Sequence, residues 1–167
     1  MSSDHPRDQN VSTNFALLIT SDTRTEKTDR TGQLARRLIE ENGHRVNEFG
    51  LVPNNEELID AWLDKTLRIE KVRVVVTSGG TGIGTRDKTV SVAQKHFEKE
   101  LPGFGELFRR LSFEEVGLPG VWSRATAGVA KRKVIFCLPG SSGAVKTALE
   151  KIILPGVGHM LWELDRS

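Results

Sequence analysis

Val72-Arg73-Val74-Val75-Val76-Thr77-Ser78-Gly79-Gly80-Thr81-Gly82-Ile83-Gly84-Thr85-Arg86-Asp87 is the stretch that decides the fold. Val72 to Thr77 holds three consecutive valines, which fits a strand buried on both faces, as in a parallel sheet. Ser78 to Gly84 follows at once and carries four glycines in six positions. Glycine adopts positive φ and lets backbone amides come close to a ligand, and successive N–H groups at such a turn cradle anions. Ser78 and Thr81 can add hydroxyl donors. The same glycines also suit a plain, tight strand-to-helix turn. No Gly-Lys-Ser/Thr follows, so this is not a Walker loop. Neither does it fit the dinucleotide pattern Gly-x-Gly-x-x-Gly, because Thr85 and Asp87 occupy the positions that would need glycine.

Outward from this stretch, strand and helix patterns alternate. Phe15 to Thr20 and Val46 to Val52 read as strands, and Val134 to Leu138 as the last firm one. Helices are expected near Asp29 to Asn42, Glu56 to Leu67, Thr89 to Leu101, Phe104 to Phe113 and Ala144 to Ile153. Trp122 to Thr126 suits a short strand or an irregular segment. Beyond Leu154, Pro155, Gly156 and Gly158 leave the structure open. The alternation predicts one α/β domain over residues 14–167, with a largely parallel sheet and helices on both faces. A polar tail, residues 1–13, is expected to be flexible.

In open α/β sheets, ligands bind outside the carboxyl ends of strands. Three polar loops lie at such ends: Ser21-Asp22-Thr23-Arg24, Ser78 to Asp87, and Pro139-Gly140-Ser141-Ser142-Gly143. If the strands are parallel, all three reach one rim. Asp87 has several readings. A carboxylate beside an anion cradle repels phosphate unless a divalent cation sits between them, and Mg²⁺ is commonly held by one or two carboxylates plus substrate phosphates. Alternatively Asp87 is a charge at a helix N-terminus, or a partner of Arg86. Ser141 or Ser142 suits a helix N-cap as well as a ligand contact, and Ser21-Asp22 alone is a turn signal.

The remaining composition narrows the classes. A net charge of +2 gives no broad footprint for nucleic acid. The single cysteine, Cys137, cannot form an internal disulfide and lies within a strand pattern, as a buried thiol would. No secretory signal or membrane-length apolar stretch is present, so a cytoplasmic location is expected. His5, His44, His96 and His159 lack metal-ligand spacing. Trp62 and Trp122 read as packing or interface residues, and Lys131-Arg132-Lys133 as a solvated turn. No Ser-His-Asp or Cys-His pattern is evident.

Thr77 to Gly82 followed by Thr85-Arg86-Asp87 resembles the glycine-rich signature of the molybdopterin-binding domain family. Ser21 to Arg24 is similar to that family's first loop and Leu138 to Ser142 to its last. Pro102 to Glu106, Arg110 to Glu115 and Ser123 to Gly128 are especially similar to its B branch, and the resemblance runs from about Phe15 to Leu161. It implies a three-layer α/β/α sandwich with a mostly parallel mixed sheet containing one antiparallel strand. It also implies a homotrimer or homohexamer. The implied reaction is Mg²⁺-dependent transfer of AMP from ATP to molybdopterin, releasing pyrophosphate. The product serves molybdate or tungstate insertion, with transient contact to the metal-insertion protein. By this resemblance Asp87 is the catalytic acid and Mg²⁺ ligand. Ser21, Asp22, Ser78, Gly79, Gly80, Thr81, Gly82, Pro139, Gly140, Ser141 and Ser142 hold phosphate and pterin groups. One position departs from the pattern. Active relatives of the G branch carry an acid directly after the proline that ends the second strand, whereas Pro53 is followed here by Asn54, with Glu56 and Glu57 the nearest acids. A non-catalytic molybdopterin-binding or scaffold protein is therefore the second reading. A nucleotide-binding oxidoreductase, with its poor fingerprint, is the third.

Overall fold

A computed structural model describes residues 11–166. Six strands form one sheet in the order β2-β1-β3-β6-β5-β4. They are β1 (Asn14–Thr20), β2 (Arg45–Val52), β3 (Val72–Ser78), β4 (Lys99–Glu100), β5 (Thr126–Ala130) and β6 (Lys133–Leu138). The helices are α1 (Arg30–Glu41), α2 (Glu56–Leu67), α3 (Thr89–His96), α4 (Pro102–Val116), α5 (Ser142–Ala148) and α6 (Leu154–Asp165).

The central strands explain the architecture. Phe15, Leu17 and Ile19 of β1, Val74 and Val76 of β3, and Val134, Phe136 and Leu138 of β6 face α1, α4, α5 and α6. Ala16, Leu18, Val75, Ile135 and Cys137 face α2 and α3. Burying a Val, Leu or Ile side chain contributes roughly 1.5–3 kcal/mol, so strands apolar on both faces are stable only between two helical layers. Polar caps start the helices: Asp29 accepts from Gly32 N–H at 2.9 Å for α1, and Asn55 from Leu58 N–H at 3.0 Å for α2.

The sheet is mixed, not purely parallel. β2, β1, β3 and β6 are parallel, β5 runs antiparallel to β6, and β4 is antiparallel to β5, so β5 alone is reversed. The helix expected to continue to Leu101 stops at His96. Its last residues turn out to the sheet edge, where Glu98 N–H donates to Val129 O at 2.8 Å and Leu101 N–H to Ala127 O at 2.8 Å. Gly128 permits this: a Cβ there would lie 2.4 Å from the Phe97 ring.

The segment Trp122 to Thr126, open between a short strand and irregular structure, is irregular up to Thr126, where β5 begins. It pairs with β6 through a tight turn in which Lys131 and Arg132 have φ of 48° and 60°. Lys133 is buried rather than solvated, and its ammonium donates to Ile69 O and Val72 O at 2.8 and 2.6 Å. The segment left open after Leu154 is helix α6, reached through a π-helical turn at Leu149–Ile153. Residues 1–10 of the N-terminal tail lie outside the described residues, while Val11 packs on the core and Thr13 is buried.

His44 is buried, its Nδ1 accepts from Thr13 N–H at 3.2 Å, and burial pushes its pKa below the usual histidine value. The folded state therefore resists protonation, while the unfolded chain takes up the proton once pH falls below about 6.5. Stability from this site is present above that value and is lost as pH drops toward the folded pKa. Between about pH 7.5 and 5.5 the urea midpoint of the wild type should fall more than that of His44→Gln; equal falls would remove His44 from the account. Gly79 has φ +106°, and a Cβ there would sit 2.2 Å from the Thr20 carbonyl oxygen. Gly79→Ala should cost at least about 1–3 kcal/mol in denaturant unfolding. Gly143→Ala, where a Cβ meets nothing within 4 Å, should change stability by less than about 0.5 kcal/mol.

Candidate functional site

The carboxyl ends of four adjacent parallel strands meet at one rim. Thr20 is opposite Val52, Ile19 opposite Ser78, and Ser78 opposite Leu138. The loops that leave these strands are bonded together. Ser21 N–H donates to Val52 O at 2.9 Å, and Gly79 N–H to Leu138 O at 2.9 Å. The Ser78 hydroxyl donates to Pro139 O at 3.0 Å. The Gly140 carbonyl accepts from Arg24 Nη2 at 2.9 Å and Thr31 Oγ1 at 3.1 Å, and Thr31 Oγ1 lies 3.0 Å from Ser142 Oγ. The three loops singled out in the sequence thus form one structure.

The glycine turn lies flat against its neighbours. Gly80 has φ +71°, and a Cβ there would come within 2.2 Å of Thr89 Oγ1. Only glycine fits there without displacing the start of α3. Among the described residues, the N–H groups of Gly80, Thr81, Gly82 and Ile83 have no protein acceptor. They form a row of unused donors, the condition for an anion cradle. The hydroxyls expected to help are already engaged: Ser78 with Pro139, and Thr81 with Ser123 Oγ at 3.4 Å. Ser21 Oγ accepts from Thr23 and Arg24 N–H, and Ser141 Oγ from Ala144 N–H as the cap of α5. As acceptors, these two hydroxyls shape their loops.

Asp87 closes the turn. Its Oδ2 accepts from Gly84 N–H at 2.9 Å, and a Cβ on Gly82 would lie 2.6 Å from that oxygen. Oδ1 has no hydrogen bond among the described residues. The ion pair with Arg86 is absent there too. α3 has Lys88 at its N-cap position with no side-chain bond, so Asp87 binds the glycine turn and does not cap the helix. A cavity of about 480 Å³ opens over Asp87 and Gly80–Gly82, walled by Ile83, Pro119, Trp122 and Pro139. A second cavity of about 410 Å³, between α4 and the start of α5, shares Pro119, Ser123 and Pro139 with it.

Asp22 and Asn54, 32 residues apart, meet beside the turn. The Asn54 backbone N–H donates to Asp22 Oδ1 at 2.9 Å and its side-chain amide to Oδ2 at 3.4 Å. The backbone N–H of Asn54, then its amide, and then the charge of Arg86 hold the Asp22 carboxyl below its usual pKa against a slight desolvation. A negative charge therefore stands next to position 54 although residue 54 is neutral. Asn54 Oδ1 is buried without a partner, 3.1 Å from where a Gly80 Cβ would lie. Glu56 is drawn away toward Lys88 and Lys95, at 3.6 and 3.9 Å. Among the described residues no group of three or more His, Cys, Asp or Glu could hold a metal by itself.

Sequence reasoning missed Thr31, Thr89 and Ser123, which fasten the loops from helix starts and a distant turn. Trp122, read as a packing or interface residue, is 61% exposed and lines the cavity over Asp87. A hydroxyl at a helix start signals only capping, and nothing in the chain marks which loop Trp122 will meet.

Comparison with known proteins gives one answer. The profile of the family described as "probable molybdopterin binding domain" matches residues 16–159. Molybdenum cofactor biosynthesis protein B of Bacillus cereus is 45% identical over 152 residues, covering 90% of each chain. A crystal structure of a molybdenum cofactor biosynthesis protein B superposes with TM-score 0.91 at 43% identity, covering 96% of this chain and 100% of the other. The tungsten cofactor synthesizing protein MoaB from Pyrococcus furiosus superposes with TM-score 0.82 at 37% identity, covering 91% and 96%. With the profile matched over residues 16–159 and a relative 45% identical over 90% of each chain, the chain belongs to the molybdopterin-binding domain family.

Proposed function

We propose that this chain acts in molybdenum or tungsten cofactor biosynthesis as a cytoplasmic adenylyltransferase. It transfers AMP from ATP to molybdopterin with Mg²⁺ and releases pyrophosphate. Family membership and the names of its relatives support the pathway. The observation that carries the reaction is Asp87, with one oxygen free, set against a turn whose amide donors are unused.

The residues present fit an Mg²⁺–phosphate ligand better than a bare metal. Among the described residues Asp87 is the sole carboxylate lining the cavity, and Mg²⁺ held by one carboxylate normally completes its shell with water and phosphate oxygens. Asp87 would hold Mg²⁺, which would supply charge neutralisation for the phosphates. The amides of Gly80 to Ile83 hold phosphate oxygens in place, and the Pro139–Ser142 loop fixes the opposite side. Phosphoryl and nucleotidyl transfers depend chiefly on positioning and charge stabilisation. The nucleophile comes from the substrate, the terminal phosphate of molybdopterin. The chain's own candidates are occupied: Ser78 and Ser141 in loop bonds, and Cys137 buried with its thiol pushed up to about 11.

A specific observation favours the second reading, a non-catalytic binding protein: position 54 is an amide. The Asp22 carboxylate beside it lessens the difference. Asp87→Ala should lower adenylyl transfer by at least about 100-fold, the loss expected when several kcal/mol of metal-assisted stabilisation disappear, while circular dichroism shows the chain still folded. Chelation of Mg²⁺ should abolish product. Wild-type protein that binds molybdopterin yet forms no adenylylated product would establish the second reading.

Assembly is proposed as a homotrimer or homohexamer, with transient contact to the metal-insertion protein. The support is an apolar exposed surface on α4 and the turn after it: Leu107, Phe113, Val116, Leu118 and Val121. Light scattering should give three or six chains per particle, and Val116→Asp with Leu118→Asp should shift it toward one. A monomeric wild type at micromolar concentration would contradict the assembly.

A further inference from the structure

Trp122 is 61% exposed and Ile83 78% exposed, and both line the cavity over Asp87. A tryptophan can bury about 150–250 Å² of surface, so one left open on a cavity wall gives up a large stabilisation that the fold alone does not recover. Leu118 and Val121, exposed in the same turn, do not line this cavity, so the proposed assembly surface does not account for where Trp122 stands.

The wall is also fixed. Arg124 N–H donates to Thr81 O at 2.8 Å, and Thr81 and Ser123 hydroxyls lie 3.4 Å apart, which ties the segment to the glycine turn. Arg109 Nη1 donates to Ala125 O at 2.7 Å and ties it to α4. Opposite character is thus built into one space. The glycine turn with its unused amides and the Asp87 carboxylate line it together with Trp122, Ile83 and two prolines.

We propose that Trp122 and Ile83 are the two jaws of a slot that stacks the planar nitrogen heterocycle of a phosphorylated substrate while its phosphate lies on the glycine turn. The inference rests on the proposed function, in which two substrates carry such a ring: the adenine of ATP and the pterin of molybdopterin. Stacking on an aromatic face tolerates either ring, and the two are separated by experiment.

Affinities of Mg–ATP, Mg–tripolyphosphate and 6-hydroxymethylpterin are measured by calorimetry on wild type, Trp122→Ala, Trp122→Phe and Ile83→Ala, with light scattering to confirm an unchanged assembly. Trp122→Ala should weaken one ring-bearing ligand by about tenfold or more and leave tripolyphosphate within about twofold. Trp122→Phe should restore most of the loss. Ile83→Ala, at a solvent-exposed side chain, should weaken the same ligand by a smaller factor. Loss confined to ATP assigns the slot to adenine, and loss confined to the pterin assigns it to molybdopterin. Unchanged affinity for both rings, or a parallel fall for tripolyphosphate, overturns the slot while leaving the function standing. A wild type that binds neither ATP nor the pterin overturns the function, and the slot with it.

Discussion

The close passage of the Gly79 backbone beside the Thr20 carbonyl is the constraint on which the site depends. It lets the chain leaving β3 turn flat across the rim between β1 and β6 instead of rising over it. From that turn the Gly79 N–H reaches Leu138 O, the Ser78 hydroxyl reaches Pro139 O, and the last loop is drawn against the first through Gly140. A side chain at position 79 would separate these loops. The row of free amides from Gly80 to Ile83 would then no longer lie beside Asp87.

Polar side chains and backbone divide the work at this rim. Hydroxyls of Ser21, Ser78, Thr81, Ser141 and Ser142 take part in bonds that tie the loops together and to the helices, Ser21 and Ser141 as acceptors only. Such bonds rigidify the loops, and fixed donors do not have to be ordered when a ligand arrives. Among the described residues the main-chain N–H groups of Gly80 to Ile83 remain unused, and main-chain donors are the hardest to lose by substitution. The same economy is visible at Asp22, which is held by the Asn54 backbone first and by its side chain second.

The far rim shows the contrast. Grooves of about 450 and 420 Å³ lie near the amino ends of β1 and β3, yet there Asp165 already accepts from Arg73 and Arg132. The Asp165 carboxylate there is engaged by two arginines, whereas the carboxyl-end rim keeps a row of unused main-chain donors and the exposed Trp122.

The chain by itself determined the central strands, the helix starts and the three loops. Consecutive apolar residues, caps and glycines are local signals, and doubly buried strands have few alternatives. It did not determine β5, β4 or α6. Gly128 and the strained Lys131-Arg132 turn make sense only against Phe97 and β6, and Pro155, Gly156 and Gly158 argue against a helix that the burial of Leu154, Val157 and Leu161 nevertheless secures. The pairing of Asp22 with Asn54 and the exposure of Trp122 over the glycine turn were likewise settled only by tertiary structure. Contacts across 32 or more residues depend on strand order and register, which no local pattern encodes.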